Sequence, residues 1–81
     1  MSALTKTDRK QITGMIAKLN EIRSDLDDLA VEYGEKFDNL SEKAQEGEKG
    51  TALQETVEEL ETVAQSTEEL VDALSSLEEE T

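Results

Sequence analysis

The chain has 81 residues, with 21 acidic and eight basic side chains and a formal net charge of −13 at pH 7. A chain of this length forms one domain at most and buries only a modest core unless it associates with a second copy. It contains no Cys, His or Trp, so disulfides and thiolate chemistry are excluded. The scarcity of Lys and Arg argues against direct binding to nucleic acid or to an anionic membrane.

The residue types favour an all-α fold. Proline is absent and glycine occurs only four times, whereas Glu, Leu, Ala and Lys, which form long helices readily, are plentiful. No window approaches eighteen uninterrupted apolar residues, and the first ten residues contain no apolar signal segment. We therefore expect a soluble protein located in the cytoplasm.

The first predicted helix spans about residues 6–39. A hydroxyl at Thr5 or Thr7 can cap free backbone N–H groups there, and Asp8 lies near the positive end of the helix dipole. Apolar side chains then recur every three or four residues, as on one side of a helix. They are Ile12, Met15, Ile16, Leu19, Ile22, Leu26, Leu29, Tyr33, Phe37 and Leu40. Gly34 interrupts this stripe, which leaves a local kink open.

A hinge is predicted over about residues 40–50. The stripe stops there, and Asn39, Ser41, Gly47 and Gly50 are typical of a helix end, a turn and a restart. Thr51 followed three residues later by a glutamine matches a capping box, which predicts a second helix over about 51–79.

The second helix continues the apolar pattern in heptads. Its a and d positions are Leu53, Val57, Leu60, Ala64, Thr67, Val71 and Leu74, and the seam is widened by Val63, Leu70 and Leu77. Two helices of matched length with a short connection predict an antiparallel αα-hairpin, a single domain over 1–81. Thr67 either helps to set the register or is simply tolerated at a core position.

Both stripes are wider than one partner helix can cover. We therefore expect two hairpins to pair as a homodimer, a four-helix bundle, or to form a higher oligomer. The residues predicted for the core or oligomer seam are Ile12, Leu19, Ile22, Leu26, Leu29, Tyr33, Phe37, Leu53, Val57, Leu60, Val71 and Leu74.

Catalytic and metal chemistry are not expected. The chain has no His or Cys, no glycine-rich phosphate loop and no Gly-x-Ser-x-Gly motif, so we predict neither an enzyme nor catalytic residues. Helical di-iron sites require Glu-x-x-His pairs, and the neighbouring Asp25, Asp27 and Asp28 point in different directions on a helix. No metal ligands and no cofactor are predicted.

The acidic charge is concentrated in the second helix. Residues 1–50 hold eleven acids and all eight bases, net −3, whereas residues 51–81 hold ten acids and no base, net −10. One interpretation is a solubilising face; the other is a surface that imitates nucleic-acid phosphates and meets a basic protein. The candidate partner-binding residues are Glu55, Glu58, Glu59, Glu61, Glu68, Glu69 and Asp72.

The start of the first helix has a basic bias. In an antiparallel hairpin this end lies near the acidic C-terminus, so charge pairing between the two is the expected role of these bases. The bases are Lys6, Arg9, Lys10, Lys18 and Arg23, and the acids are Glu78, Glu79 and Glu80.

The hinge carries a resemblance to known proteins. Phe37-Asp38-Asn39-Leu40, then Gln45 and Gly50 ahead of an acidic heptad helix, resembles the FDNLPE-type turn of a group of small acidic proteins encoded by bacteriophages and prophages. The resemblance spans residues 37 to about 77. Ser41 stands where that pattern has proline, and serine there can cap a helix. The resemblance implies a small phage product in the cytoplasm of a bacterial host and no particular mechanism.

Three functions follow as hypotheses. The first is a non-enzymatic binder that inhibits a basic host protein involved in nucleic-acid handling or defence, in the manner of a DNA mimic. The second is a scaffolding coiled-coil oligomer whose acidic face only keeps it soluble. The third is an oligomer that sequesters a small signalling nucleotide, for which only Arg9, Lys10, Lys18 and Arg23 could supply the basic contacts.

Overall fold

The structure, a computed structural model, describes residues 3–79 as three α-helices without a β-strand among them. Helix α1 spans Lys6–Asp38, α2 spans Glu42–Glu46 and α3 spans Glu48–Glu79. Helices α1 and α3 pack side by side along their lengths, and the short α2 packs on α3 at the closed end. The predicted all-α helical hairpin is confirmed.

The hairpin is long and thin. It measures 59 × 16 × 12 Å, and its radius of gyration of 18.2 Å exceeds the ~12 Å of a compact domain of this length. Among the described residues only three hydrophobic side chains are buried: Ile12 and Ala30 are 7% exposed and Ala64 is 6% exposed. The interior of the described hairpin is therefore a single narrow seam between two helices.

Helix α1 begins at a capping box centred on Thr5. The Asp8 amide donates to the Thr5 hydroxyl oxygen (3.0 Å), and the Thr5 amide donates to Oδ2 of Asp8 (3.0 Å). Hydrogen bonds from the backbone of Thr5, and then from its side chain, lower the pKa of Asp8 below its usual value of 3.8. Of the two threonines considered from the sequence, the structure selects Thr5 as the cap.

Helix α1 runs through Gly34 without interruption and ends at Asp38, with Asn39 as its C-cap. The Asn39 amide donates to the carbonyl of Glu35 and the Leu40 amide to that of Phe37, each at 3.0 Å. Ser41 then caps α2, accepting a hydrogen bond from the Ala44 amide at 3.2 Å. This is the capping role anticipated for a serine at the proline position of the turn pattern.

The start of the second long helix differs from the prediction. Helix α3 begins at Glu48 directly after Gly47, which is extended (φ −90°, ψ −172°). Thr51 is already inside α3, because its amide and its hydroxyl both donate to the Gly47 carbonyl at 3.1 Å. The capping box predicted at Thr51 and Gln54 is therefore wrong, and the hinge predicted over 40–50 contains α2 and the first residues of α3.

Gly50, predicted as part of the turn, lies within a helix in the structure. It lies buried within α3 under the backbone of α2. A Cβ at this position would lie 2.6 Å from the carbonyl carbon of Gln45 and closer still to its oxygen. The glycine permits a close approach of two helices and does not mark a break.

The α1–α3 seam follows a strict heptad spacing. Every residue at its inward positions is buried or half-buried. In α1 these positions are Ile12, Ile16, Leu19, Arg23, Leu26, Ala30, Tyr33 and Phe37. In α3 they are Leu53, Val57, Leu60, Ala64, Thr67, Val71, Leu74 and Glu78. Thr67, 6% exposed, donates from its hydroxyl to the Val63 carbonyl at 2.9 Å, so the buried hydroxyl is satisfied within its own helix.

The hydrogen bond from the Thr13 hydroxyl to Oε2 of Glu78 (2.9 Å) fixes the register at the open end. Counting heptads from this contact sets Arg23 opposite Thr67 in the middle of the seam. The charged side chain of Arg23 thus occupies a central inward position. The hydrophobic pattern of the sequence predicts the neighbouring Ile22 for that position.

Seven large apolar side chains between residues 3 and 79 remain exposed, and six of them repeat at seven-residue intervals on one flank of the hairpin. We call this set the apolar strip: Met15, Ile22, Leu29, Val63, Leu70 and Leu77, which are 37–55% exposed. Ile22 and Leu29, predicted for the core or oligomer seam, thus lie outside the α1–α3 seam. The other ten residues of that prediction are all buried or half-buried.

Candidate functional site

The candidate site is the set of carboxylates on α3, here called the acidic surface: Glu55, Glu58, Glu59, Glu61, Glu68, Glu69 and Asp72. All seven side chains are exposed. Helix α3 presents them outward because its inward heptad positions, apart from Glu78, are taken by apolar and small residues. Within residues 3–79, none of the seven makes a side-chain hydrogen bond or an ion pair, so their charges are available to a partner.

The carboxylates are dense along the helix. Nine acids and no base lie between Glu55 and Glu79, a stretch of about 36 Å at ~1.5 Å per residue. This gives about one negative charge per 4 Å, close to the ~3.4 Å of one DNA strand. Only one of the nine, Glu78, is held by a side-chain hydrogen bond from another described residue. Helix α3 thus has an axial charge density close to that of one DNA strand, about half that of a duplex, on a rigid support.

Helix α1 extends the acidic surface on one flank. Asp27 lies beside Glu61 and Glu68 around one shallow depression, and Asp38 lies beside Glu58 around another. These two α1 residues were not among the predicted site residues. The signal that could have found them is the heptad phase, which puts Asp27, Glu61 and Glu68 at equivalent flanking positions of an antiparallel pair.

Arg23 is the single base in this acidic neighbourhood. It lines the central depression with Asp27, Glu61 and Glu68 and is half-buried. No salt bridge within 4.0 Å joins it to a carboxylate among the described residues. An anionic nucleotide would meet three carboxylates here for one guanidinium, which is unfavourable electrostatically.

The bases considered for a nucleotide pocket are not brought together. By heptad position, Lys10 and Lys18 lie on opposite flanks of α1. Arg9 and Arg23 lie at inward positions fourteen residues apart. These bases therefore form no convergent cluster that could bind a small signalling nucleotide, as the third hypothesis requires.

The open end differs from the expected charge pairing. Glu78 accepts its hydrogen bond from the neutral Thr13, and no base of α1 forms an ion pair with Glu78 or Glu79 in the described region. Glu80, the third predicted acid, lies outside the described residues.

The remaining acidic residues form no metal centre in the described part of the chain, where no group of three potential ligands converges. Asp25, Asp27 and Asp28 fall at three different heptad positions of α1 and are all exposed. None of the helices described is both long and apolar enough to cross a membrane.

Comparison of the chain with protein-family models, curated proteins and solved structures returned no match. The functional argument therefore depends on the surfaces of the hairpin itself.

Proposed function

We propose that this chain is a non-enzymatic binding protein whose acidic surface occupies the nucleic-acid-binding face of a basic protein. In keeping with the turn resemblance, the proposed setting is a phage product that inhibits a nucleic-acid-handling or defence protein in the cytoplasm of a bacterial host. The observation that carries the proposal is the charge of α3: about one carboxylate per 4 Å with no intervening base.

Solubility alone explains this arrangement less well. Helix α1 keeps exposed Lys6, Lys10 and Lys18 among its acids, and interspersed charges of both signs are sufficient for solubility. Helix α3 instead omits every base after Lys49. Carboxylates that repel one another along a helix cost stability, and a basic partner offsets that cost when it docks.

The rigidity of the support favours recognition of a defined partner. Glu58, Glu61 and Glu68 project from one continuous 32-residue helix, braced along its length by α1. A preformed helix backbone loses little conformational entropy on binding, and a strong field of one sign accelerates association with an oppositely charged protein. We expect such binding to be fast and sensitive to salt.

The test compares wild type with a neutralised variant that carries Glu58→Gln, Glu61→Gln, Glu68→Gln and Asp72→Asn. A matched control carries Glu21→Gln, Asp28→Asn, Glu32→Gln and Glu35→Gln, which removes the same charge from exposed positions of α1. Tagged proteins capture partners from bacterial lysate at about 0.1 M and about 0.5 M salt, between which the Debye length falls roughly twofold.

The expected result is a basic nucleic-acid-handling protein retained by wild type and by the control at low salt, released at high salt, and lost from the neutralised variant. Equal retention by the neutralised variant would show that the acidic surface is not the binding site. Circular dichroism must show unchanged helicity in both variants.

A scaffolding coiled-coil role is the second candidate, and the exposed apolar strip favours it. This role predicts that Leu60→Asp or Leu74→Asp abolishes function through loss of assembly. It also predicts that the neutralised variant retains full function, which is the opposite of the outcome expected for the acidic surface.

A further inference from the structure

The apolar strip lies on the flank opposite Glu61 and Glu68 of the acidic surface, while Glu59 borders it beside Val63. The residues around two depressions show that Asp27 and Gly34 of α1 share one flank with Glu61 and Gln54 of α3. A third depression shows Lys36 and Lys49 together on the other flank. The strip residues share the heptad position of these two lysines, so both helices contribute to one continuous apolar surface.

The strip is large for a hairpin of this size. Along α1, Met15 and Leu29 are fourteen residues apart, about 21 Å at ~1.5 Å per residue. Six large side chains, each 37–55% exposed, share this one flank. Grouped exposed apolar side chains commonly mark an interaction site.

We propose that a second copy of this chain covers the strip in an antiparallel, twofold-symmetric arrangement. The twofold axis passes through the strip at the level of Ile22 and Leu70. Helix α1 then packs on α1 of the second copy, and α3 packs on α3 of the second copy. The strip is then self-complementary, since Met15 approaches Leu29 of the second copy and Val63 approaches Leu77. Such a symmetric contact closes on itself and gives a dimer.

The charges beside the strip favour a second copy in this orientation. Lys18 and Asp25 occupy the same heptad position on the α1 edge of the strip, one heptad apart and both exposed. Antiparallel packing about Ile22 brings Lys18 of each copy within about one helical turn of Asp25 of the other. A parallel arrangement instead places α1 on α3 and brings Glu32 towards Glu59 of the second copy, which is repulsive.

The residue sizes along α3 also suit close packing of two copies. Ser66 and Ala73 alternate with Val63, Leu70 and Leu77 along the strip, and both small residues are exposed. In the antiparallel arrangement Val63 lies against Ala73 of the second copy and Leu70 against Ser66. Large side chains thus meet small ones, which lets helices interdigitate.

The seam inside each hairpin shows why further burial is needed. Among the described residues it buries only three hydrophobic side chains, and the apolar strip adjoins it from Met15 to Leu29 on α1 and from Val63 to Leu77 on α3. A second hairpin extends the same core and converts two thin seams into a four-helix bundle. Glu59 borders the strip beside Val63, whereas Glu61 and Glu68 lie on the other flank and face away from the second copy.

The test is the mass of the whole chain in solution by sedimentation equilibrium over about 5–200 µM. We expect wild type at twice its 9.0 kDa chain mass, whereas Ile22→Asp and Leu70→Asp remain helical and sediment as monomers. Val31→Asp is the control, because Val31 is 60% exposed and lies off the strip. A monomeric wild type, an assembly larger than two chains, or a dimeric Ile22→Asp variant would each overturn the proposal.

The orientation is tested by charge reversal and by cross-linking. Lys18→Asp or Asp25→Lys alone is expected to weaken the dimer about tenfold, and the double variant to regain most of the loss. The chain has no native cysteine, so a single Leu70→Cys substitution can be cross-linked selectively. Because residue 70 of each copy lies at the proposed twofold axis, antiparallel pairing predicts a disulfide between the two Cys-substituted chains. Failure of Leu70→Cys to cross-link in a confirmed dimer would contradict this orientation.

Discussion

The side-chain amide of Gln45 in α2 donates a hydrogen bond to the carbonyl oxygen of Phe37 near the end of α1, at 3.1 Å. That carbonyl also accepts from the Leu40 amide at 3.0 Å, so one oxygen ties together the end of α1, the turn and α2. The backbone of Gln45 in turn packs directly on Gly50 of α3. A single residue therefore connects all three helices at the closed end of the hairpin.

Replacing Gln45 with alanine tests this connection. The Gln45→Ala variant loses a partly buried hydrogen bond, and we expect its free energy of unfolding to fall by about 1 kcal/mol. Urea unfolding followed by circular dichroism measures the change. The control is Gln65→Ala on α3, where the glutamine is exposed and makes no hydrogen bond in the described structure; an equal loss there would argue against a specific role for Gln45.

Gly50 provides a steric test of the same closed end. In Gly50→Ala the new methyl group collides with the Gln45 backbone, so α2 must shift and the free energy of unfolding should fall by about 1–3 kcal/mol. Gly14→Ala is the matched control, since a Cβ on Gly14 meets nothing within 4 Å. Removing that helical glycine should stabilise by about 1 kcal/mol. Stabilisation by both substitutions would contradict the close approach of α2 and α3.

The capping box predicts a pH dependence at the open end. The pKa of Asp8 is lowered in the folded chain, so its ionised form stabilises the fold above the usual aspartate pKa of 3.8. That contribution is lost as the pH falls through the lowered folded value. The melting temperature of Asp8→Asn should therefore lie below that of wild type at pH 7, and the difference should shrink below about pH 4. A difference independent of pH would contradict the role of the charge.

Salt should stabilise the hairpin. No ion pair joins the charged side chains of the described residues, and the net charge is −13, so screening weakens repulsion without breaking attractive contacts. The melting temperature at pH 7 is expected to rise between about 0.02 and 0.5 M NaCl. A fall would indicate that attractive ion pairs dominate.

Much of the fold was predictable from the sequence because it depends on heptad spacing. The apolar residues from Ile12 to Phe37 and from Leu53 to Leu74 place both long helices on a common seam. The inward position of Arg23 was not predicted, because a reading by hydrophobicity selects the neighbouring Ile22. The observed inward face of α1 follows a strict alternation of three- and four-residue spacings. This spacing includes Ala30 as well as Arg23.

The closed end was harder to predict because glycine has two common uses in helical proteins. Gly47 is the expected break between helices, whereas Gly50 is buried in α3 at a close contact. Composition alone does not show whether a glycine breaks a helix or permits a close helix contact, because that depends on where α2 lies relative to α3. The residues of the acidic surface were chosen from charge alone and stay a prediction, whereas the position of Asp27 beside Glu61 and Glu68 required the register between the helices.

The most direct test of the proposed function is displacement by DNA. Proteins captured on immobilised wild-type chain at about 0.1 M salt are challenged with a 20-base-pair duplex at constant ionic strength, with polyglutamate of equal charge as the control. If the acidic surface occupies a nucleic-acid-binding face, the duplex should release the partner at a much lower charge concentration than polyglutamate does. A partner that the duplex does not release, or that both polyanions release equally well, would contradict the proposal.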